Sequence, residues 1–185
     1  RFFDYAERQG YIKEDPSGNL VAPGLPRRLP KYLSDKETQR LFKSLPQETT
    51  EDIRNMAILK LLYFTGMRIG EVQQLNVEHL QMDTRQLLVR GKGDKERLIP
   101  VSQTLMEVLT QWLEAREQLR FVKSEAFFVS LGRNHRGKRI SYGATRHIVK
   151  HMLEAAGLGD YSPHKLRHTF ATQLLDRGAP LEQIS

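Results

Sequence analysis

The 185-residue sequence contains no cysteine. A disulfide framework, a cysteine-ligated zinc site and a thiol nucleophile are therefore excluded, and a reducing compartment fits. Long hydrophobic runs are also missing, because none of the apolar stretches is long enough to cross a bilayer. The first residues lack the order of charged, apolar and small residues that is typical of a signal peptide. We therefore expect a cytoplasmic protein without a membrane partner.

Acidic residues are fewer than basic ones. The chain has 29 Lys and Arg against 22 Asp and Glu, a formal net charge of +7, which points towards a polyanionic partner. Its 39% hydrophobic and 28% charged residues are typical of globular domains. The length suffices for one well-packed domain, or for one domain and a fragment of another.

Proline is concentrated in one segment, "EDPSGNLVAPGLPRRLPK", which holds four of the eight prolines. Such a composition opposes helix formation and predicts an extended interdomain linker over residues 14–32. Residues 1–13 carry apolar residues at helical spacing and are predicted to be the end of a helix of a preceding domain. Residues 33–185 then form the main domain.

Capping signals predict most of the helices of that domain. Ser34, with glutamate three residues later, starts one helix, and Thr49 or Thr50 starts a second that stops at Gly66. A short helical piece is predicted over about residues 68–75. Ser102 caps a further helix, another covers "YGATRHIVKHMLEAAGLG", and Ser162 followed by proline starts the last one, which runs to "DRG".

The hydrophobic period changes between these helices. Residues 86–90 and 97–101 are rich in branched apolar residues and flank the loop "GKGDKE", which predicts a β-hairpin. The predicted fold class is therefore mixed α/β, mainly α, with a small β-hairpin or sheet.

The segment "SPHKLRHTF" predicts an anion site at the start of the last helix. His164 and Arg167 are three residues apart and share a helix face. The free N–H groups of the first turn favour an anion, and a guanidinium one turn later adds a fork of donors for phosphate oxygens. By itself the H-x-x-R pattern is also compatible with a solvated basic face.

Two further cations occupy positions suited to a phosphate. Arg68, in "TGMRIGE", follows a glycine that ends a helix, a junction that can direct a side chain into a cleft. Lys92 lies between two glycines at the hairpin tip, where it can approach a leaving oxygen. The alternatives are a surface arginine paired with Glu71 and a solvated lysine on a turn.

Several other basic residues are candidates for contacts with a nucleic-acid backbone. Two follow the hairpin tip, four belong to the basic stretch "GRNHRGKR", and one lies near the start of the next helix; a mobile surface loop is the alternative for the second group. The candidates are Lys95, Arg97, Arg133, Arg136, Lys138, Arg139 and Arg146.

The ordered combination "LPRRLPKYLSDKE", "TGMRIGE", "GKGDKERLIP" and "SPHKLRHTFATQLL" resembles the catalytic domain of tyrosine recombinases, above all the Xer-type site-specific recombinases and related integrases. The resemblance covers nearly the whole chain. It implies the DNA breaking-rejoining fold, double-stranded DNA as partner, no cofactor and no metal. It further implies a tetramer of subunits on two duplexes in the full-length protein.

The resemblance also implies roles for four residues. Arg68 and Arg167 correspond to the two arginines that bind the scissile phosphate, Lys92 to the acid that protonates the departing 5′ oxygen, and His164 to a residue that binds phosphate or moves protons. A tyrosine attacks to form a 3′-phosphotyrosyl bond. In related proteins it follows the segment that matches "LLDRGAPLEQIS", so we expect the nucleophile beyond residue 185, and this piece to be monomeric and to bind but not cleave DNA.

Two other functions remain open at this point. One is a type IB topoisomerase-like enzyme that relaxes DNA by similar chemistry, and the other is a DNA-binding regulator that kept the fold without cleavage. The motif set favours the recombinase, for chromosome-dimer resolution or for integration and excision of a mobile element.

Overall fold

The computed structural model describes residues 2–14, 16, 32–91, 93, 95–176 and 178. Within this part the chain forms seven α-helices and one three-stranded sheet. In chain order these are α1 (Phe2–Arg8), α2 (Asp35–Ser44), α3 (Thr50–Thr65), α4 (Ile69–Gln74), β1 (Leu80–Gln81), β2 (Gln86–Arg90), β3 (Glu96–Pro100), α5 (Gln103–Glu117), α6 (Tyr142–Ala155) and α7 (Pro163–Asp176). The mainly helical fold class is confirmed. Most of the predicted linker lies outside the described residues, so the predicted division into domains stays a prediction.

The helix starts follow their capping residues. Ser34 and Thr49 each accept a hydrogen bond from the backbone N–H three residues on, and each forms a complete capping box with that residue's carboxylate. Ser102 caps α5 in the same way, through the N–H of Leu105. Side-chain oxygens thus satisfy donors that the first turn of a helix leaves unpaired, and the predicted starts are confirmed.

Helix α3 is the centre of the domain. It packs against α5, α6 and α7 and is buried almost all round. Phe64, near the end of the helix, is an exception and is 38% exposed. Even Arg54 is buried, and its guanidinium donates to the Val129 carbonyl oxygen at 3.2 Å. Three neighbouring helices require a helix that is apolar on several sides.

The sheet is antiparallel in the order β1-β2-β3. The hairpin register pairs Arg90 with Glu96, so the second strand begins one residue before the predicted start, and β1 was not predicted at all. Leu87 and Val89 of β2 are fully buried, whereas Leu98 of β3 is 51% exposed. One face of the hairpin therefore packs on the core.

Helix α7 closes the domain against α3. Leu166 and Thr169 are fully buried, and the Thr169 hydroxyl accepts a hydrogen bond from the backbone N–H of Leu33 at 3.0 Å. Leu175 is 43% exposed, and the helix is described as far as Asp176, the first residue of the "DRG" at which its end was predicted. None of the described helices combines the length and apolar character that a membrane span needs.

Candidate active site

The turn after α3 brings the first predicted catalytic residue towards α7. Gly66 ends α3 in the left-handed conformation, with φ of 62°, and a Cβ at this position would collide with the ring of Phe170 in α7. Both the backbone angle and the close approach thus require glycine. Arg68, two residues later, is the N-cap residue of α4.

The first turns of α7 bring two more predicted residues to the same place. The Nη1 group of Arg167 donates a hydrogen bond to the carbonyl oxygen of Gly66, which joins α7 to the end of α3. His164, one turn earlier, is exposed. Arg68, His164 and Arg167 line one open cleft of about 680 Å³. Residues separated by about a hundred positions in sequence thus face one space.

The fourth predicted residue, Lys92, lies outside the described residues. Its neighbour Gly91 lines the cleft, together with Arg90 at the end of β2. The two described residues directly before Lys92 in the sequence therefore lie at the cleft.

The cleft is strongly cationic. Among the described residues, four arginines, at positions 68, 90, 146 and 167, line it, against the single carboxylate of Glu71. Burial lowers the pKa of Arg167 from its ordinary value, the charges of Arg68 and Arg97 act in the same direction, and Glu71 opposes them. Arginine stays charged over any working pH because its ordinary pKa is so high. Because the positive charges of these arginines repel one another, an anion bound between them is stabilised.

Glu71 lies at the floor of this cationic site. Its side chain is 7% exposed, and it accepts hydrogen bonds from Arg68 and Arg97. Burial alone would raise the pKa of Glu71. Hydrogen bonds from Arg97 and from the Arg68 backbone, with the charges of both arginines, outweigh burial and lower the pKa below its ordinary value. The carboxylate is therefore ionised at neutral pH.

Three of the candidate DNA contacts already have partners within the protein. Arg97 pairs with Glu71, and the Arg136 guanidinium lies 4.1 Å from the centre of the Phe121 ring. Arg139 donates to the carbonyl oxygens of Gln73 and Leu75, at 3.0 and 2.7 Å, at the end of α4. DNA contacts by these three residues stay predictions.

The other candidates are exposed. Lys95, Arg133, Lys138 and Arg146 all present accessible side chains, and Arg146 also lines the cleft. Their contact with DNA is a prediction that their accessibility favours.

Sequence reasoning missed several residues of the cleft, among them Arg90, Tyr142 and Glu71. Tyr142, which was not among the predicted site residues, is 55% exposed and lines the cleft one turn before Arg146. The i, i+4 spacing of these two residues on one helix was the available signal. Glu71 was considered only as the surface partner of Arg68, and its burial could not be seen in the sequence.

No group of three or more His, Asp or Glu side chains in the described part of the chain is arranged to hold a metal ion. The chemistry that the cleft itself offers is anion binding by several fixed guanidinium groups, with an imidazole beside them.

Comparison with known proteins identifies the family. The sequence matches the phage integrase family over residues 31–185. The chain belongs to the phage integrase family. Two relatives are tyrosine recombinase XerC of Corynebacterium efficiens and tyrosine recombinase XerD of Vibrio cholerae, 40% and 36% identical to this integrase-family chain. The matches cover 99% and 100% of this chain but 58% and 61% of the relatives.

Solved structures agree with the assignment. The crystal structure of XerA recombinase matches 90% of this integrase-family chain and 57% of its own, with a TM-score of 0.74 at 31% identity. The XerH site-specific recombinase, bound to a palindromic difH substrate after cleavage, matches 98% of this chain and 55% of its own, with a TM-score of 0.76 at 28% identity. The predicted resemblance and fold are confirmed, and the chain spans less than two thirds of the relatives it matches.

Proposed function

We propose that the chain is the phosphate-binding and DNA-cleaving domain of a site-specific recombinase. The reaction is cleavage and rejoining of DNA strands through a 3′-phosphotyrosyl intermediate. The observation that carries the proposal is the convergence of Arg68, His164 and Arg167 on one cationic cleft in a tyrosine recombinase fold. Solved structures of XerH site-specific recombinase bound to a difH substrate, one before and one after cleavage, support double-stranded DNA as the proposed partner.

The two arginines act on the scissile phosphate. Attack at phosphorus concentrates negative charge on the non-bridging oxygens, and guanidinium groups already in place stabilise that charge without reorganisation. The bond from Arg167 to the Gly66 carbonyl fixes one guanidinium relative to the turn that holds the other. By comparison with arginine fingers, each contributes about 10³-fold in rate.

Proton transfer completes the reaction. Lys92 protonates the departing 5′ oxygen, a contribution of about 10² to 10⁴-fold for a general acid, and His164 binds the phosphate or handles the nucleophile's proton. The proposed nucleophile is a tyrosine outside the six in this chain. Of these, the hydroxyls of Tyr63 and Tyr161 are hydrogen-bonded to other side chains within the domain. Tyr142 does line the cleft, so its replacement is part of the test.

The test uses the full natural protein. A preferred duplex is selected from a random DNA library, then nicked near its centre so that a cleaved strand escapes and the covalent protein–DNA adduct accumulates. We expect an adduct with the wild type and with Tyr142→Phe, and none with Arg68→Ala or Arg167→Ala. Adduct formation by both arginine variants would contradict the site, and loss in Tyr142→Phe would make that tyrosine the candidate nucleophile.

The same duplex separates the alternatives and tests the assembly. Strand exchange between two duplexes supports a recombinase, relaxation of a supercoiled plasmid without exchange supports a topoisomerase-like enzyme, and binding without an adduct supports a regulator. We propose four subunits on two duplexes for the full natural protein and a monomer for the 185-residue chain alone. Light scattering of each, with and without the duplex, measures these states.

A further inference from the structure

We propose that Arg97 is a positioning residue of this site: its two-point ion pair with Glu71 holds the β2–β3 hairpin against the turn that carries Arg68. The inference rests on the proposed function for its effect on cleavage. The structural part, the hold on the hairpin, stands independently of that function.

The guanidinium of Arg97 and the carboxylate of Glu71 form a bidentate ion pair. Nη1 of Arg97 donates to Oε1 of Glu71 at 3.0 Å, and Nη2 donates to Oε2 at 2.9 Å. Two parallel hydrogen bonds fix direction as well as distance, which a single charge contact does not. The hairpin and the first turn of α4 are thereby fixed to each other, although 26 residues separate the pair.

The same carboxylate also holds Arg68. The backbone N–H of Arg68 donates to Oε2 at 2.8 Å, and its Nη1 donates to Oε1 at 3.2 Å. Each oxygen of Glu71 therefore accepts one bond from Arg97 and one from Arg68. Through these four hydrogen bonds Glu71 links the β2–β3 hairpin to the turn that carries Arg68. A displacement of the hairpin is therefore transmitted to Arg68.

Arg97 lies close to the point where β2 ends. The backbone N–H of Gly91 donates to the carbonyl oxygen of Lys95 at 2.8 Å, which closes the hairpin just beyond its last ladder pair. A Cβ at Gly91 would lie 3.3 Å from Nη1 of Arg97, so backbone and guanidinium are in near contact. Holding Arg97 thus holds the hairpin where it borders the cleft.

This role differs from the one predicted from the sequence, a contact with a DNA phosphate. A phosphate contact changes affinity and its dependence on salt, because each neutralised phosphate releases condensed counterions. A positioning residue changes the rate of the chemical step instead, since a misplacement of about 1 Å can cost about 10²-fold. The two roles therefore predict different measurements for the same variants.

The first experiment measures the position of the hairpin in the chain itself. Because the sequence has no cysteine, Lys95→Cys on the hairpin and Gln111→Cys on α5, both at exposed positions, provide two unique spin-label sites. We expect a narrow distance distribution in the wild-type background. Arg97→Gln broadens or shifts it, Arg97→Lys does so less, and Glu96→Gln, which breaks the exposed pair on the same hairpin, leaves it unchanged.

The second experiment measures binding and cleavage in the full natural protein, on the selected nicked duplex. For Arg97→Gln we expect the single-turnover rate of adduct formation to fall by about 10 to 100-fold, with the DNA dissociation constant and its salt slope unchanged. Arg97→Lys recovers part of the rate. Lys95→Ala, the exposed neighbour, weakens binding and lowers the salt slope by about 0.9.

The outcomes are separable. An unchanged distance distribution in Arg97→Gln overturns the proposal, and so does a loss of affinity with a smaller salt slope at an unchanged cleavage rate. If the wild type forms no adduct, the proposed function fails, while the distance distributions still decide whether Arg97 holds the hairpin. Thermal melting of each variant confirms that the measurements are made on folded protein.

Discussion

Two ion pairs on the β2–β3 hairpin differ in burial although their distances are nearly the same. Arg90 and Glu96 face each other across the two strands at 2.8 Å, and their side chains are 54% and 45% exposed. Arg97, the next residue along, contacts Glu71 at 2.9 Å, and that carboxylate is only 7% exposed. Each of these two hairpin arginines pairs with a glutamate, so residue type does not distinguish the two pairs. The burial of the carboxylate and the geometry of the contact do.

The difference teaches that a short ionic distance does not measure the contribution of an ion pair. In water the attraction between exposed charges is screened, and such pairs contribute about 0 to 1 kcal/mol. Removing one partner of a buried pair leaves the other charge without compensation, at a cost of about 3 to 5 kcal/mol. Glu71 is buried, but its partners Arg97 and Arg68 remain 36% and 59% exposed, so the cost at the Glu71 site should not exceed the lower end of the second range, while the Glu96 site should follow the first rule.

The largest expected effect is that of Glu71→Gln. It removes the one carboxylate that compensates two arginines, and we expect the free energy of unfolding to fall by about 3 kcal/mol. This value is the lower end of the range for buried pairs, because both arginines retain contact with solvent. Urea denaturation of the 185-residue chain measures it. A loss below about 1 kcal/mol would remove the distinction between the two sites.

Acid pH is expected to act through the same carboxylate. The pKa of Glu71 in the folded protein lies below its ordinary value of 4.5, so its ionised form contributes stability above that pH, and the contribution is lost as the pH falls through the lower folded-state pKa. Glu71→Gln should therefore show a shallower decline in the free energy of unfolding below about pH 4.5. Urea denaturation at several pH values tests this, and equal slopes would contradict it.

The pKa values of Glu37 and Asp52 are also lowered, chiefly by hydrogen bonds within their capping boxes. Their share of the acid response remains in Glu71→Gln, which is why the slope becomes shallower and does not vanish.

The smallest expected effect is that of Glu96→Gln. Both partners are about half exposed, so the free energy of unfolding should change by less than about 1 kcal/mol, and the change should shrink further in high salt. The same denaturation series measures it. If Glu96→Gln lowered the free energy of unfolding as much as Glu71→Gln does, burial of the carboxylate would not determine the contribution of these ion pairs.

Much of the fold follows from interactions within a few residues. The capping boxes at Ser34 and Thr49, the glycine that ends α3 and the hairpin around "GKGDKE" are local arrangements, and each was predicted near its observed place. The boundary error of one residue at the start of β3 is of the size that local patterns allow. Strand β1, of two residues, is too short to leave a pattern.

The site was predicted in part. The motifs identified Arg68, His164 and Arg167 as types suited to a phosphate, and the structure places all three on one cleft. The candidates Arg97 and Arg139 were selected for charge alone, whereas the structure gives both of them partners within the protein. Charge is visible in a sequence, but the direction in which a long side chain points is set by its neighbours.

The sequence by itself determined where helices begin, where the hairpin turns and which residue types can bind a phosphate, because these depend on residues three or four positions apart. Tertiary structure alone decided that α3 is buried on several sides, that Arg167 bonds to Gly66 across 101 positions, and that Glu71 joins two arginines. These contacts form only when the helices and the hairpin pack against one another. The residues that exclude water from Glu71 and bring the paired groups together are far apart in the sequence.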